Sequence, residues 1–176
     1  MSDSKGILFV CFGNICRSPM AEALCAHLLR ASEQVEQTAS ASTQPHSRSL
    51  RWFVGSAATS DWNDGQQPDP RTFKICRHHG VFLSHVCRQV VEDDFDHYDF
   101  ILAMDRENYK YLQTMKAGSS KGARLELLGD YDPKGVREIL DPFYGDEQDF
   151  ENVYQHILRC LKPFLTKHCN RPFVFQ

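Results

Sequence analysis

The chain alternates between short apolar runs and longer stretches in which apolar residues recur every three to four positions. Residues 7–10 form a continuous apolar run, which is typical of a buried strand in a parallel sheet. Residues 51–58, 98–104 and 124–128 have a similar strand character. We therefore predict four strands, separated by segments with helical periodicity.

The first helix is predicted shortly after the first strand. Ser18 has the residue type of an N-cap and Pro19 that of a first helical position, and apolar residues at helical spacing continue to about Arg30. Residues 31–50 are polar and rich in Ser, Thr, Ala and Gln. Because they offer little apolar surface to bury, we predict a mobile surface connection there.

Three further helices are predicted downstream. Asp69 and Pro70 open one of them, and Gly80 closes it, as expected for Pro at a helix start and Gly after its end. Asp105 is predicted to cap the second, which runs to about Met115, and the third covers about 149–167. The last contains a proline, which favours a kink.

The order of these elements predicts the fold class. Strands that alternate with helices imply right-handed crossovers, so we expect an α/β fold: one domain over residues 1–176, with a central parallel sheet and helices on both faces. Ligands in such folds bind beyond the carboxyl ends of the strands. Cys11 directly follows the first apolar run, so the segment after it lies where a site is expected.

Composition narrows the range of partners. The 176 residues are 41% hydrophobic and 24% charged, which is ordinary for a globular protein. The net charge of −3, without a block of Lys and Arg, makes nucleic acid and anionic membranes poor candidates.

The apolar run near the N-terminus is too short for a signal peptide, no later run approaches a membrane span, and Ser2 excludes N-myristoylation. The seven cysteines lack the spacing of a disulfide framework. We therefore expect a cytoplasmic monomer with reduced thiols.

The segment CFGNICRSP carries the candidate chemistry. Taken alone, its cysteine and arginine are a weak signal, since most buried thiols are structural. Gly13 and Asn14 are the residue types best able to adopt a positive φ, so the loop can turn its N–H groups inward around a tetrahedral oxyanion. Arg17 adds a planar fork that matches two phosphate oxygens. This positive environment favours a Cys11 thiolate, to which Ser18 could donate a hydrogen bond, and predicts a nucleophile beneath a bound phosphate.

The longer segment CFGNICRSPMAEA closely resembles the signature of the low-molecular-weight protein tyrosine phosphatases. The similarity begins at Ile7 and continues through SAATSDWN, PDPR, RQVVEDDFDHYDFILAMD, LELLGDYDP, DPFYGDEQDFENVY and the final helix. The resemblance implies hydrolysis of protein phosphotyrosine and small aryl phosphates through a cysteinyl-phosphate intermediate, without a metal or cofactor. It also implies that the partners of this chain are tyrosine-phosphorylated proteins.

The same resemblance assigns roles to individual residues. It implies that Cys11 is the nucleophile, that Arg17 binds phosphate and stabilises the transition state, and that Asp141 is the general acid. The remainder of the phosphate-binding loop consists of Phe12, Gly13, Asn14, Ile15, Cys16 and Ser18.

Three Asp-Pro pairs compete for the role of acid. Asp69 is well explained as a helix cap, whereas Asp132 follows the last strand and could equally reach the site. Asp141 precedes two aromatic residues suited to flank a phenyl ring. The residues alone do not rank all three, and the resemblance favours Asp141.

Several other residues have a structural and a functional interpretation. Trp62 is either a partly buried structural residue or one wall of the substrate cleft; its polar neighbours favour an exposed wall. The resemblance places this wall opposite another near Tyr144. It also implies that Ser56 and His85 join Asn14 and Ser18 in a polar network that holds the loop, although His85 could be an ordinary histidine.

The remaining thiols and imidazoles raise two further questions. Cys16 is either a small packing residue or, as in the family, the redox partner that forms a reversible disulfide with Cys11. A second group has a superficial likeness to a metal cluster, but its spacing fits no common zinc pattern, so we expect no metal there. Its members are Cys76, His78, His79, His85 and Cys87.

Two rival functions are weighed against phosphatase activity. Arsenate reduction uses the same fold and loop, but it needs a resolving pair of cysteines whose spacing Cys76 and Cys87 do not match. A non-catalytic phosphotyrosine-binding module would be expected to have lost Cys11 or the acid. The chain also departs from the family in its long 31–50 connection and in Phe143, which stands where many vertebrate members carry a second tyrosine.

Overall fold

The computed structural model describes residues 4–39, 51–116 and 122–169, and these ranges form the predicted α/β fold. A parallel sheet has the order β2-β1-β3-β4. The strands are β1 (Ser4–Cys11), β2 (Arg51–Ala58), β3 (Phe100–Ala103) and β4 (Arg124–Leu127). The α-helices are α1 (Arg17–Ala39), α2 (Pro70–His78), α3 (Asp94–His97), α4 (Arg106–Lys116) and α5 (Glu147–His168), and a 3-10 helix covers Leu128–Tyr131.

The central strand β1 is buried on both faces of the sheet. Ile7 and Phe9 pack into a core formed with α1, α2 and α5, whereas Leu8 and Val10 pack into a second core with α3 and α4. All four side chains are fully buried, and each such burial contributes about 1.5–3 kcal/mol. This two-sided burial explains the continuous apolar run in the sequence.

The strand register brings the candidate residues to one edge of the sheet. Cys11 pairs with Ala58 of β2, and the neighbouring Val10 pairs with Ala103 of β3. Ala103 in turn pairs with Leu127 of β4. The segments that follow all four strands therefore emerge at the same carboxyl edge.

Helix α1 corrects two predictions. It begins at Arg17, so Ser18 lies in its first turn and is not an N-cap. It also continues to Ala39, so the predicted surface connection is wrong for residues 31–39. These positions are rich in Ala, Glu and Gln, whose helix propensity sustains the helix without a continuous apolar stripe. Residues 40–50 lie outside the described ranges.

Helices α2, α4 and α5 agree with the predicted pattern except at their ends, whereas the four-residue helix α3 is not among the predicted elements. The Asp69 side chain caps α2, and Gly80 follows that helix at a φ of 69°. Helix α5 begins slightly before the predicted start at Asp149, because the capping box formed by Asp146 and Asp149 opens it. Pro163 lies inside this helix. Among the helices of the described ranges, none combines the length and the apolar composition that a membrane span requires.

Candidate active site

The candidate site begins where β1 ends, in a loop that coils around the Cys11 sulfur. Cys11 is only 3% exposed, and the backbone N–H of Asn14 donates to its Sγ at 3.2 Å. Asn14 has a φ of 54°, as expected for the inward turn. Gly13 does not share this conformation; a Cβ there would lie 2.8 Å from the Asn63 amide nitrogen, so close packing explains this glycine.

Ser18 faces the sulfur from the first turn of α1. Its Oγ lies 3.0 Å from Cys11 Sγ and accepts a hydrogen bond from Asn14 Nδ2 at 2.8 Å. The same hydroxyl lies within 3.3 Å of the Ala57 carbonyl oxygen, to which it can donate. The predicted contact between Ser18 and Cys11 is therefore present, although the predicted helix cap is not.

A polar network surrounds the Asn14 side chain and includes Ser56 and His85, the two residues predicted to join it. The Asn14 Nδ2 also donates to Ser56 Oγ at 2.9 Å, and the Asn14 Oδ1 lies 2.7 Å from His85 Nε2. Glu22 completes the network, because its Oε2 accepts from Ser56 Oγ at 2.6 Å and lies 3.1 Å from His85 Nδ1. Sequence reasoning missed Glu22, although its position one turn after Ser18 places it on the same side of α1.

Arg17 is 2% exposed and lies among acceptors from distant segments. Its Nη1 donates to Asp105 Oδ2 at 2.6 Å and to the Ile139 carbonyl at 3.1 Å, and its Nη2 donates to Asp141 Oδ2 at 2.6 Å. Its buried Nε has no hydrogen-bond partner among the described residues. Burial lowers the pKa of Arg17, but the negative charges of Cys11, Asp141 and Asp105 more than offset this effect and raise it overall.

Asp105 is the second residue that sequence reasoning missed. Its residue type and position predict only a helix cap, and its Oδ1 does accept from the backbone N–H of Asn108 in α4 at 2.8 Å. Its other oxygen holds Arg17, so one carboxylate anchors both a helix and the guanidinium.

The three competing aspartates lie in different environments. The Asp141 carboxylate contacts Arg17, accepts from the Phe143 N–H at 3.1 Å and is 45% exposed. The Asp132 side chain is fully buried, and its Oδ1 accepts a hydrogen bond from Arg159 Nε at 2.6 Å. The hydrogen bond from Arg159 holds the pKa of Asp132 far below its usual range. Asp69 caps α2. Of the three, the geometry favours Asp141 as a group that can meet a ligand beside Arg17.

The two aromatic residues predicted to form walls of the substrate cleft are exposed. Trp62 is 74% exposed and packs edge to face with Phe12 of the loop, with ring centroids 5.2 Å apart. Asn63 ties the Trp62 segment to the loop by donating to the Gly13 carbonyl at 3.0 Å. Tyr144, beyond Asp141, is 97% exposed. Trp62 thus lies against the phosphate-binding loop, and Tyr144 belongs to the segment that follows Asp141; their role as two walls of a substrate cleft stays a prediction.

The remaining thiols are buried and reduced. Cys16 is 3% exposed, and burial together with the nearby charges of Cys11 and Asp69 raises its pKa well above the usual value. Cys87 donates to the Asn14 carbonyl at 3.0 Å. Across the described ranges, no three His, Cys, Asp or Glu side chains are arranged to hold a metal ion.

The sequence and fold were compared with known proteins. A family model described as low molecular weight phosphotyrosine protein phosphatase matches residues 6–171. The pig (Sus scrofa) protein of that name is 43% identical over 166 residues, which cover 93% of this chain and 96% of that protein.

Two solved structures extend the comparison. A protein tyrosine phosphatase from Entamoeba histolytica has a TM-score of 0.77 and 30% identity, with 93% of this chain and 96% of that chain covered. A Drosophila protein described as an arginine phosphatase has a TM-score of 0.77 and 33% identity, with 92% and 96% covered. The family match, the close relatives and the shared fold agree: this chain belongs to the low molecular weight phosphotyrosine protein phosphatase family, whose members are hydrolases.

Proposed function

We propose that this chain, as a single catalytic domain, hydrolyses phosphotyrosine in proteins through a phosphorylated Cys11. The observation that carries the proposal is the arrangement around the sulfur. Cys11 Sγ receives the Asn14 N–H and lies beside the Ser18 hydroxyl, in the loop that leads directly into Arg17. These groups stabilise a thiolate and a bound phosphate, so the nucleophile and its target are held together.

In the first step, Cys11 Sγ attacks phosphorus. An S–P bond forms while the bond from phosphorus to the phenolic oxygen breaks. Arg17 and the loop N–H groups stabilise the charge on the equatorial oxygens. Asp141 donates a proton to the departing oxygen, which typically contributes about 10²–10⁴-fold to the rate. Its exposed carboxylate beside Arg17 supports this role.

In the second step, water attacks the phosphocysteine. Asp141, now ionised, accepts a proton from the water; the S–P bond breaks and releases inorganic phosphate. The thiolate returns, stabilised by the same contacts. Positive charge from Arg17 and the loop supplies the electrostatic stabilisation, so the mechanism uses no metal or other cofactor.

The exposed rings support an aromatic substrate. Trp62, which packs against Phe12 of the loop, and Tyr144, three residues after Asp141, offer large exposed surfaces that can flank a phenyl ring. The similar Drosophila protein is described as an arginine phosphatase, so phosphoarginine is the alternative to test.

Substrate class can be tested by phosphate release from matched peptides that carry phosphotyrosine, phosphoserine or phosphoarginine. We expect the phosphotyrosine peptide to have the highest kcat/KM, and Trp62→Ala to reduce this preference. Faster release from phosphoarginine would contradict the assignment of substrate.

Two rival functions have less support. Arsenate reduction needs a resolving pair of cysteines on a mobile segment, and the spacing of Cys76 and Cys87 does not match such a pair. Both residues are also buried. A non-catalytic binding module would need neither Cys11 nor Asp141, and both are present beside Arg17.

We also propose that the chain acts as a cytoplasmic monomer.

A separate proposal concerns Cys16, which protects Cys11 from over-oxidation. After mild oxidation of Cys11, the Cys16 thiol would displace water from the sulfenic acid and form a disulfide, which a dithiol reductant reverses. Mass spectrometry after peroxide treatment should show this link. Complete recovery of the Cys16→Ser variant with dithiothreitol would exclude the protective role.

A further inference from the structure

Arg71, in the first turn of α2, reaches the loop that carries Asp141. Its Nη2 donates to the Phe143 carbonyl and its Nη1 to the Gly145 carbonyl, both at 2.9 Å. Its guanidinium carbon lies 4.4 Å from the ring centroid of Phe150, which is fully buried. Two charge-assisted hydrogen bonds thus tie the Asp141 loop to a side chain braced against the core.

Asp69 fixes the orientation of this guanidinium. Its Oδ1 accepts from Arg71 Nε at 3.0 Å, and its Oδ2 accepts from Nη2 at 2.8 Å. The hydrogen bonds from Arg71 keep the pKa of Asp69 below its usual range. A bidentate pair of this kind restricts the plane of the guanidinium as well as its position.

The same short segment is attached to the phosphate-binding loop. The Asp69 N–H donates to the Ile15 carbonyl at 2.9 Å, and the Thr72 hydroxyl donates to the same oxygen at 3.0 Å. Hydrogen bonds therefore run without interruption from the loop beneath the substrate, through Asp69 and Arg71, to the loop of the acid.

We propose that the Asp69–Arg71 pair sets the position of Asp141 relative to Cys11, which makes Arg71 a positioning residue for the general acid. The inference rests on the proposed function, since it requires Asp141 to protonate the leaving group. Displacing a reacting group by about 1 Å can cost on the order of 10²-fold in rate. Asp141 is half-exposed, so fixing the backbone just beyond it limits such displacement.

The test compares two substrates that differ in their need for an acid. Arg71→Leu keeps apolar packing on Phe150 but removes every donor to the loop. We expect kcat/KM for phenyl phosphate to fall by up to about 10²-fold. For 2,4-dinitrophenyl phosphate, whose leaving group needs no proton, we expect a fall of less than about threefold.

Lys74→Ala is the matched control on the same helix. Lys74 forms an exposed ion pair with Glu147 and makes no contact with the acid loop among the hydrogen bonds and ion pairs of the described residues. An exposed pair contributes little, so both substrates should stay within about twofold of wild type.

A double variant separates positioning from general damage. If Arg71 acts through Asp141, then adding Arg71→Leu to Asp141→Ala should cause no further loss on phenyl phosphate. If Arg71→Leu fails to fold by circular dichroism, Asp69→Asn takes its place, because it removes the charge but retains an oxygen that can cap α2.

Three results would overturn the inference. Equal losses on both substrates would show that Arg71 does not act on leaving-group protonation, and an undiminished loss in the Asp141→Ala background would show that it does not act through Asp141. A wild-type protein that turns over neither substrate would overturn the proposed function, and this inference with it.

Discussion

At the residue scale, the account depends most on which aspartate donates the proton. Asp141→Ala should lower kcat/KM for phenyl phosphate by about 10²–10⁴-fold, because the phenolate then leaves unprotonated. The loss should be much smaller for 2,4-dinitrophenyl phosphate. Steady-state kinetics on both substrates measure the difference. The assignment is wrong if Asp132→Ala gives this leaving-group dependence and Asp141→Ala does not.

Asp132 should instead affect stability. Its buried carboxylate pairs with Arg159 and accepts the Lys134 N–H at 2.9 Å. Asp132→Asn should reduce the free energy of unfolding at pH 7 by about 1–3 kcal/mol, since it removes the charge from these hydrogen bonds. Activity per folded molecule should be unchanged.

The same carboxylate predicts a pH dependence. Its folded pKa is depressed by Arg159, so its contribution is complete above the unfolded pKa of about 3.9 and is lost as the pH falls towards the folded value. The stability gap between wild type and Asp132→Asn should therefore narrow below about pH 4. A gap in urea denaturation that widens on acidification would contradict the pairing.

The residues recovered from sequence alone are those whose chemistry is local. Cys11, Asn14 and Ser18 share one short segment, so residue type and spacing are sufficient to predict that they lie in contact. Glu22 and Asp105 escaped because their roles depend on approaches across the fold. The helix-cap role of Asp105 was correct and concealed its hydrogen bond to Arg17.

At the element scale, α1 separates the site from the segment that follows it. The helix has 23 residues, and at about 1.5 Å per residue its far end lies roughly 35 Å from the phosphate loop. Replacing residues 40–49 by a Gly-Ser segment of equal length should therefore leave kcat/KM for phenyl phosphate within about threefold, a difference of about 0.7 kcal/mol.

A large loss in that variant, with the circular dichroism spectrum retained, would show that the segment reaches the cleft. Ser32 lies in α1 and is buried, so residues 31–39 should not be removed in the same experiment. The polarity of residues 31–39 predicts a surface connection and not a helix. The helix propensity of these residues, and their attachment to the packed first part of α1, outweigh that polarity.

At the scale of the whole molecule, the parallel sheet explains why distant segments form one site. Arg17 contacts Asp105 across 88 positions of sequence and Asp141 across 124. The alternating pattern predicted the sheet, and the rule that ligands bind at its carboxyl edge predicted where the site lies. The alternating pattern could not predict which side chains meet at this edge, because the packing of the helices against both faces of the sheet sets the distances between them.

The central claim is that Cys11 performs the chemistry without a metal. The most direct test measures turnover of phenyl phosphate in excess EDTA by the wild-type protein and by Cys11→Ser, with circular dichroism to verify that both are folded. The account predicts full wild-type turnover in EDTA and no measurable turnover by Cys11→Ser. Loss of wild-type activity in EDTA, or turnover retained by folded Cys11→Ser, would contradict it.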